Sequence, residues 1–172
     1  LMRMIEGYQG TLITMAALKI MPYVFVRSLE LRQAKWRDIN LEEGMWKFTL
    51  TKTSTEHAVP LSKQAISILS NLYPYTKRHA YVFHSEASSS KFLSENTLAS
   101  ALRKLGIPKE EMSVHGFRAM ARTLCHERLG IPPEVIEHQL GHKVPDALGQ
   151  AYNRTRFMDD RIQMMQDWAD YL

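Results

Sequence analysis

Apolar residues recur at helical spacing along most of this chain and switch to strict alternation in one stretch only. Residues 6–20 carry helix-favouring Leu, Met and Ala, with Pro22 as the expected stop. Residues 28–37 predict a second helix, capped by Ser28, with Leu31 and Ala34 on its buried side alongside Leu29 and Trp36. Then Trp46, Phe48 and Leu50 alternate with other positions, a polar turn follows, and Ala58–Val59 returns as the partner strand. Ser62 caps a helix reaching about Leu72, with Ile66 and Leu69 turned inward. Tyr81 to Phe83 reads as a short strand, and the polar run from Ser85 to Ser90 as a loop. Helices are expected over Ser94–Leu105, ended by Gly106 and Pro108, and over Val114–Arg128, stopped by Gly130. Pro132 and Pro133 suit the first turn of another helix, which closes near Gly141. Short helical pieces carry Tyr152, and residues 157–171 form a last helix. The expected class is α+β, mainly helical with one small antiparallel sheet.

Composition narrows this picture only a little. The 172 residues suit one domain with a real core, and an apolar share of 45% is ordinary for a globular protein. A net charge of +4 is compatible with a polyanionic partner, because lysines and arginines displace counterions from a phosphate backbone. Cys125 is the only cysteine, so neither an internal disulfide nor a Cys-rich zinc site is available, and a reducing intracellular home is expected. The apolar run Thr11 to Val26 is interrupted by Lys19 and Pro22 and is too short to span a bilayer. The first residue is Leu1 rather than Met, which suggests a piece of a longer protein.

Candidate chemistry sits where elements end. His115 and Arg118 are three apart in HGFR and project from one face near a helix start. The Arg fork can hold two phosphate oxygens at once, and the helix N-terminus adds partial positive charge for an anion. Alone, the pair reads as a surface histidine and an arginine bound to a nearby acid. Further on, in LGHKVPDALGQAYNR, His142 follows a helix-ending Leu140–Gly141 and Tyr152 lies ten residues beyond it. Alone, Tyr152 reads as a partly buried aromatic with a wet hydroxyl. The order HGFR, then LGH, then AYNR weakens both ordinary readings.

These three boxes resemble the C-terminal boxes of tyrosine recombinases, particularly prophage integrases of the P4-like group. Upstream, FVRSLELRQAKWRDINLE resembles that family's first-arginine box, and TKTSTEHAVPLS its lysine-bearing hairpin. Where the family reads Arg-Pro-Gly-Glu, this chain reads Arg27-Ser28-Leu29-Glu30, with the Arg-to-Glu spacing kept. The resemblance runs from about residue 20 to the end. It implies a catalytic domain over residues 1–172, without the N-terminal DNA-binding domains of the family. It further implies Tyr152 as nucleophile, Arg27 and Arg118 as holders of the scissile phosphate, and Lys52 as general acid for the 5′ oxygen. His115 becomes an acid–base group or phosphate ligand, His142 a hydrogen-bond partner of the phosphate, and Glu30 a supporting residue. Lys47 and Lys63 remain rivals to Lys52. Double-stranded DNA is the implied partner, with self-association to a tetramer on it, in the cytoplasm of a bacterial cell and on its nucleoid. No cofactor is implied, since a phosphotyrosine conserves the energy of the broken bond.

Physical chemistry agrees with that assignment. Arginines can neutralise the phosphoryl oxygens as charge builds in the transition state. Tyrosine, with a pKa near 10, needs neighbouring cations or a base to become a nucleophile. An alkoxide leaves poorly unless a proton reaches it. Loss of activity at low pH would track His115 or His142. Three other readings compete. His138 and His142 are four apart, a spacing used for zinc, though no Glu follows His138 directly as HExxH requires. A DNA-binding module without catalysis is a second, and a type IB topoisomerase-like nicking enzyme a third. In the last helix Phe157, Met164 or Met165, Trp168 and Leu172 form a stripe that packs either on its own domain or on a neighbour.

Overall fold

The computed structural model describes residues 1–142 and 157–172. Their helices are α1 (Met2–Glu6), α2 (Leu12–Val24), α3 (Ser28–Arg32), α4 (Lys63–Thr76), α5 (Glu95–Lys104), α6 (Gly116–Leu129), α7 (Pro133–Gln139) and α8 (Met158–Tyr171). The strands are β1 (Ile39–Asn40), β2 (Met45–Thr49), β3 (Glu56–Pro60), β4 (His84–Ser85) and β5 (Ser88–Phe92). The α+β class expected from the pattern is the class observed.

Helix α2 is the centre of the core. Ile13, Ala16, Ala17, Leu18, Ile20, Met21 and Val24 are all buried, and the helix packs against α4, α5, α6 and α8. A helix apolar on nearly every side must be covered on every side, and its neighbours supply that cover. Thr11 caps it by accepting the Thr14 amide at 3.3 Å. Pro22 does not stop it: the residue lies inside the last turn, and the helix runs on to Val24 before Phe25 turns left-handed at φ 57°. A proline so near the end removes a single backbone bond, a loss the surrounding apolar burial outweighs.

Four further expectations need correction. Ser28 is the first helical residue of α3, and the cap position belongs to Arg27, whose amide is taken by the Glu30 carboxylate. Leu29 is largely exposed, whereas Leu31 and Ala34 are buried as expected. Tyr81 forms only an isolated bridge to Lys35, and the region read as a polar loop pairs instead as the β4–β5 hairpin. Serines carry weak strand preference, so the pairing comes from its flanks: Phe92 packs edge-on against Tyr81, and Leu93 donates its amide to Phe83.

The main sheet is β1–β2–β3, all antiparallel, with Trp46 facing Val59 and Phe48 facing His57. Its alternation was readable because one face packs on the core: Trp46 and Val59 are buried, while Lys47 is exposed. The last helix packs on its own domain. Met164, Met165 and Trp168 are fully buried, Trp168 Nε1 donates to the Pro22 carbonyl at 2.9 Å, and its ring meets Phe25 edge-on. Among the described residues no helix is long and apolar enough to cross a membrane.

Candidate active site

Four of the residues singled out by sequence come together where α2, α3, α6 and α7 meet. Arg118 is the hub. It lies on the first turn of α6, is buried, and donates from Nη1 to the Phe25 carbonyl and from Nη2 to the Leu140 carbonyl, the latter at 2.8 Å. Its Nη2 also stands 3.3 Å from His142 Nε2. Among the described residues no carboxylate makes an ion pair with it. Burial, and then the charge of nearby Arg27, push its pKa down to about 10, so it keeps its charge at neutral pH at some energetic cost.

Arg27 is held on the α3 side. Glu30, almost wholly buried, accepts the Arg27 amide at 2.8 Å with one oxygen and the Arg27 guanidinium at 2.9 Å with the other. Both carboxylate oxygens thus serve one residue, which fixes the guanidinium beside Arg118. His142 is placed by the end of α7. Gly141 adopts φ 66°, the His142 amide returns to the Glu137 carbonyl at 3.0 Å, and the Gly141 amide to His138 at 3.1 Å, the paired bonds of a glycine-closed helix end. Gly141 is also required sterically, since a Cβ there would sit 2.9 Å from a Leu50 methyl.

Two other nominated residues, His115 and Lys52, are exposed, and His115 meets this group through its carbonyl, which accepts the Arg118 amide at 3.1 Å. His115 occupies the cap position of α6, exposed, with no side-chain cap bond. Lys52 stands exposed in the turn between β2 and β3. Of its rivals, Lys47 points outward from β2 near Glu43 at 3.9 Å, and Lys63 opens α4 with its amide bound to Gln166. Tyr152, with the helical pieces expected around it, lies outside the described residues.

Sequence reasoning missed three contributors, Glu137, His57 and Arg161. Glu137 accepts from His142 Nδ1 and from Arg122 Nε, each at 2.5 Å. Burial would raise its pKa, but the bonds from His142 and Arg122 outweigh that and lower it. His57, on β3, lies 3.1 Å from the Gln139 carbonyl through Nε2. Burial, then the charges of Arg161, Arg118 and Arg27, hold its pKa at about 3, so it is neutral and donates that bond. Arg161, buried on α8, donates to the Gln139 side chain at 2.9 Å and to the Ala58 carbonyl. The hairpin is thereby tied to α7 and α8 behind the arginines. A signal for Arg161 did exist: it falls in helical phase with Met164, Met165 and Trp168 on the buried stripe. An open cleft of about 870 Å³ adjoins Glu30 and His57, with Lys35, Trp46, Phe48 and Tyr81 among its walls.

Two rival chemistries fit this geometry poorly. The His138 ring packs edge-on against Phe157, and both nitrogens of His142 face other groups, so the pair is not set as zinc ligands. The Cys125 thiol is buried and pushed up to about 12, so it stays protonated and is no nucleophile.

The model of the phage integrase family matches residues 1–158. The integrase of Enterobacteria phage P4 is 35% identical over 98% of this chain and 42% of its own length. The chain spans less than half the length of the curated relatives it matches. Among solved structures, an integrase from mycobacterium phage Brujita superposes with a TM-score of 0.75 at 15% identity, over 95% of this chain and 54% of that one. The XerH site-specific recombinase bound to its difH substrate gives 0.63 at 18% identity, over 83% of this chain and 44% of that one. At such identities these two likenesses speak for the fold.

Proposed function

Since the chain belongs to the phage integrase family, we propose that it is the catalytic domain of a site-specific tyrosine recombinase, cleaving and rejoining double-stranded DNA through a phosphotyrosine. The observation that carries this reading is the Arg118 guanidinium, buried and within electrostatic reach of Arg27. Among the described residues, Arg118 is bonded to carbonyls and not to a carboxylate. Arg27 is matched by Glu30, so the charge left over is that of Arg118, and a phosphodiester placed against the two guanidinium groups would supply the missing anion.

In the forward step the Tyr152 oxygen forms a bond to phosphorus and the bond from phosphorus to the 5′ oxygen breaks. The tyrosine proton leaves to a base, for which His115 is the candidate, and a Lys52 proton passes to the departing 5′ oxygen. Arg27 and Arg118 stabilise the charge on the phosphoryl oxygens, and His142 stands beside Arg118 to share that task. Reversal with a second DNA end restores the diester without an external energy source.

DNA is the substrate by this reading, and the difH-bound XerH recombinase among the structural neighbours supports it. Exchange between two duplexes calls for assembly into a tetramer, and the biological setting is integration or excision of a prophage or genomic island in the bacterial cytoplasm, on nucleoid DNA. The test is to incubate the protein with nicked duplexes that trap cleaved product, with a chelator present, and to resolve adducts on a denaturing gel. Covalent adducts support the reading. Their absence with bound duplexes contradicts it, and efficient relaxation of supercoiled DNA without strand exchange would favour a type IB topoisomerase-like enzyme.

A further inference from the structure

Glu137 is an anion and so no holder of a phosphate, yet its carboxylate bonds both His142 and Arg122. Its position follows from how α7 ends. When a glycine in left-handed conformation closes a helix, the amide two residues past the cap returns to the carbonyl five positions earlier. Here that bond joins His142 to Glu137 at 3.0 Å, which brings the two side chains together. One Glu137 oxygen meets His142 Nδ1 and the other meets Arg122 Nε, both at 2.5 Å. Arg122 lies one helical turn beyond Arg118 on α6, so the carboxylate bridges the histidine to the helix that carries the central arginine.

These contacts decide where the ring proton sits. A carboxylate only accepts, so the nitrogen facing it carries hydrogen. A guanidinium only donates, so the nitrogen facing Arg118, 3.3 Å away, presents its lone pair. The opposite tautomer would set a lone pair against Glu137 and an N–H against Arg118. We infer that Glu137 is a positioning residue for His142, fixing its Nδ1–H tautomer and ring plane so that Nε2 is the basic nitrogen offered beside Arg118. This rests on the recombinase reading.

The experiment has two arms. Long-range proton–nitrogen NMR on the labelled chain, with His142→Asn to assign the signal, reports the tautomer directly and needs no DNA. The neutral His142 ring is expected to show hydrogen on Nδ1 in the parent and to lose that preference in Glu137→Ala. An Nε2–H tautomer in the parent, or the same preference in the variant, overturns the inference. In the second arm Glu137→Ala slows adduct formation about ten- to a hundredfold, the range seen when the partner orienting a histidine ligand is removed. In the His142→Asn background it has no further effect. An equal loss in that background means Glu137 acts structurally, and the inference fails. Glu137→Gln repeats the kinetic comparison if the alanine variant is poorly folded. A parent chain that binds nicked duplexes yet forms no adduct sinks the recombinase reading, while the NMR arm still decides the positioning.

Discussion

Glu30 grips Arg27 at two points, taking its backbone amide at 2.8 Å and its guanidinium at 2.9 Å, with the carboxylate almost fully buried. The helix cap and the ion pair are one device, so the orientation of the Arg27 guanidinium is locked to the start of α3. Glu30→Gln removes the charge and turns one acceptor into a donor against Arg27. The expected loss is about 1.5–3 kcal/mol of stability, with adduct formation falling much further than binding to the same duplex. Denaturant unfolding and an adduct time course, run side by side, measure both.

His57 predicts a pH dependence of folding. Unfolded, it titrates near its ordinary 6.5; folded, it is held at about 3 by burial and by Arg161, Arg118 and Arg27. Between those values the unfolded chain binds more protons, so stability falls as pH drops through that window, by at most about 1.4 kcal/mol per unit. His57→Gln keeps a donor for the Gln139 carbonyl and removes the titration. Urea midpoints at several pH values from 7 to 4.5 should fall less steeply for the variant than for the parent. Identical slopes would mean that His57 is not held neutral.

Gly141 predicts a backbone effect on chemistry. Alanine there meets both a left-handed φ of 66° and a Leu50 methyl 2.9 Å from its Cβ. The expected cost is roughly 1–2 kcal/mol from the backbone alone. Because His142 is the next residue, adduct formation should drop as well. A variant that loses stability but cleaves at the parent rate would show that this turn does not place His142.

Lys52 predicts the reverse combination. It is exposed in the hairpin turn, so Lys52→Ala should leave stability within about 0.5 kcal/mol. Cleavage of an ordinary substrate should be lost, and a substrate with sulfur in place of the leaving 5′ oxygen, which departs without a proton, should restore it. Lys47→Ala and Lys63→Ala should cleave both substrates normally. Rescue of one of those variants instead would move the general acid to it.

What the sequence disclosed follows from where periodicity and chemistry coincide. The α2 core, the β2–β3 alternation and the last helix were legible because each buries one continuous apolar pattern. Arg27, Glu30, Arg118 and His142 were legible through the resemblance of their boxes to the family's, and three-dimensional contact then joined boxes far apart in sequence. Pro22 misled because a proline in a final turn costs a helix little, and the β4–β5 serines because cross-strand neighbours, not propensity, form that hairpin. Arg161 shares the helical phase of the buried stripe on the last helix, whereas Glu137 and His57 stayed hidden for a common reason. Each works through an element packed against its own, and one-dimensional spacing does not report that packing.

The central claim is covalent chemistry at Tyr152, and one measurement addresses it directly. The protein is incubated with a nicked duplex, the adduct is digested, and the nucleotide-bearing peptide is identified by mass spectrometry, with Tyr152→Phe in parallel. The account predicts a single modified peptide carrying Tyr152 and no adduct from the variant. An adduct mapped to another residue, or one that persists in Tyr152→Phe, would contradict it.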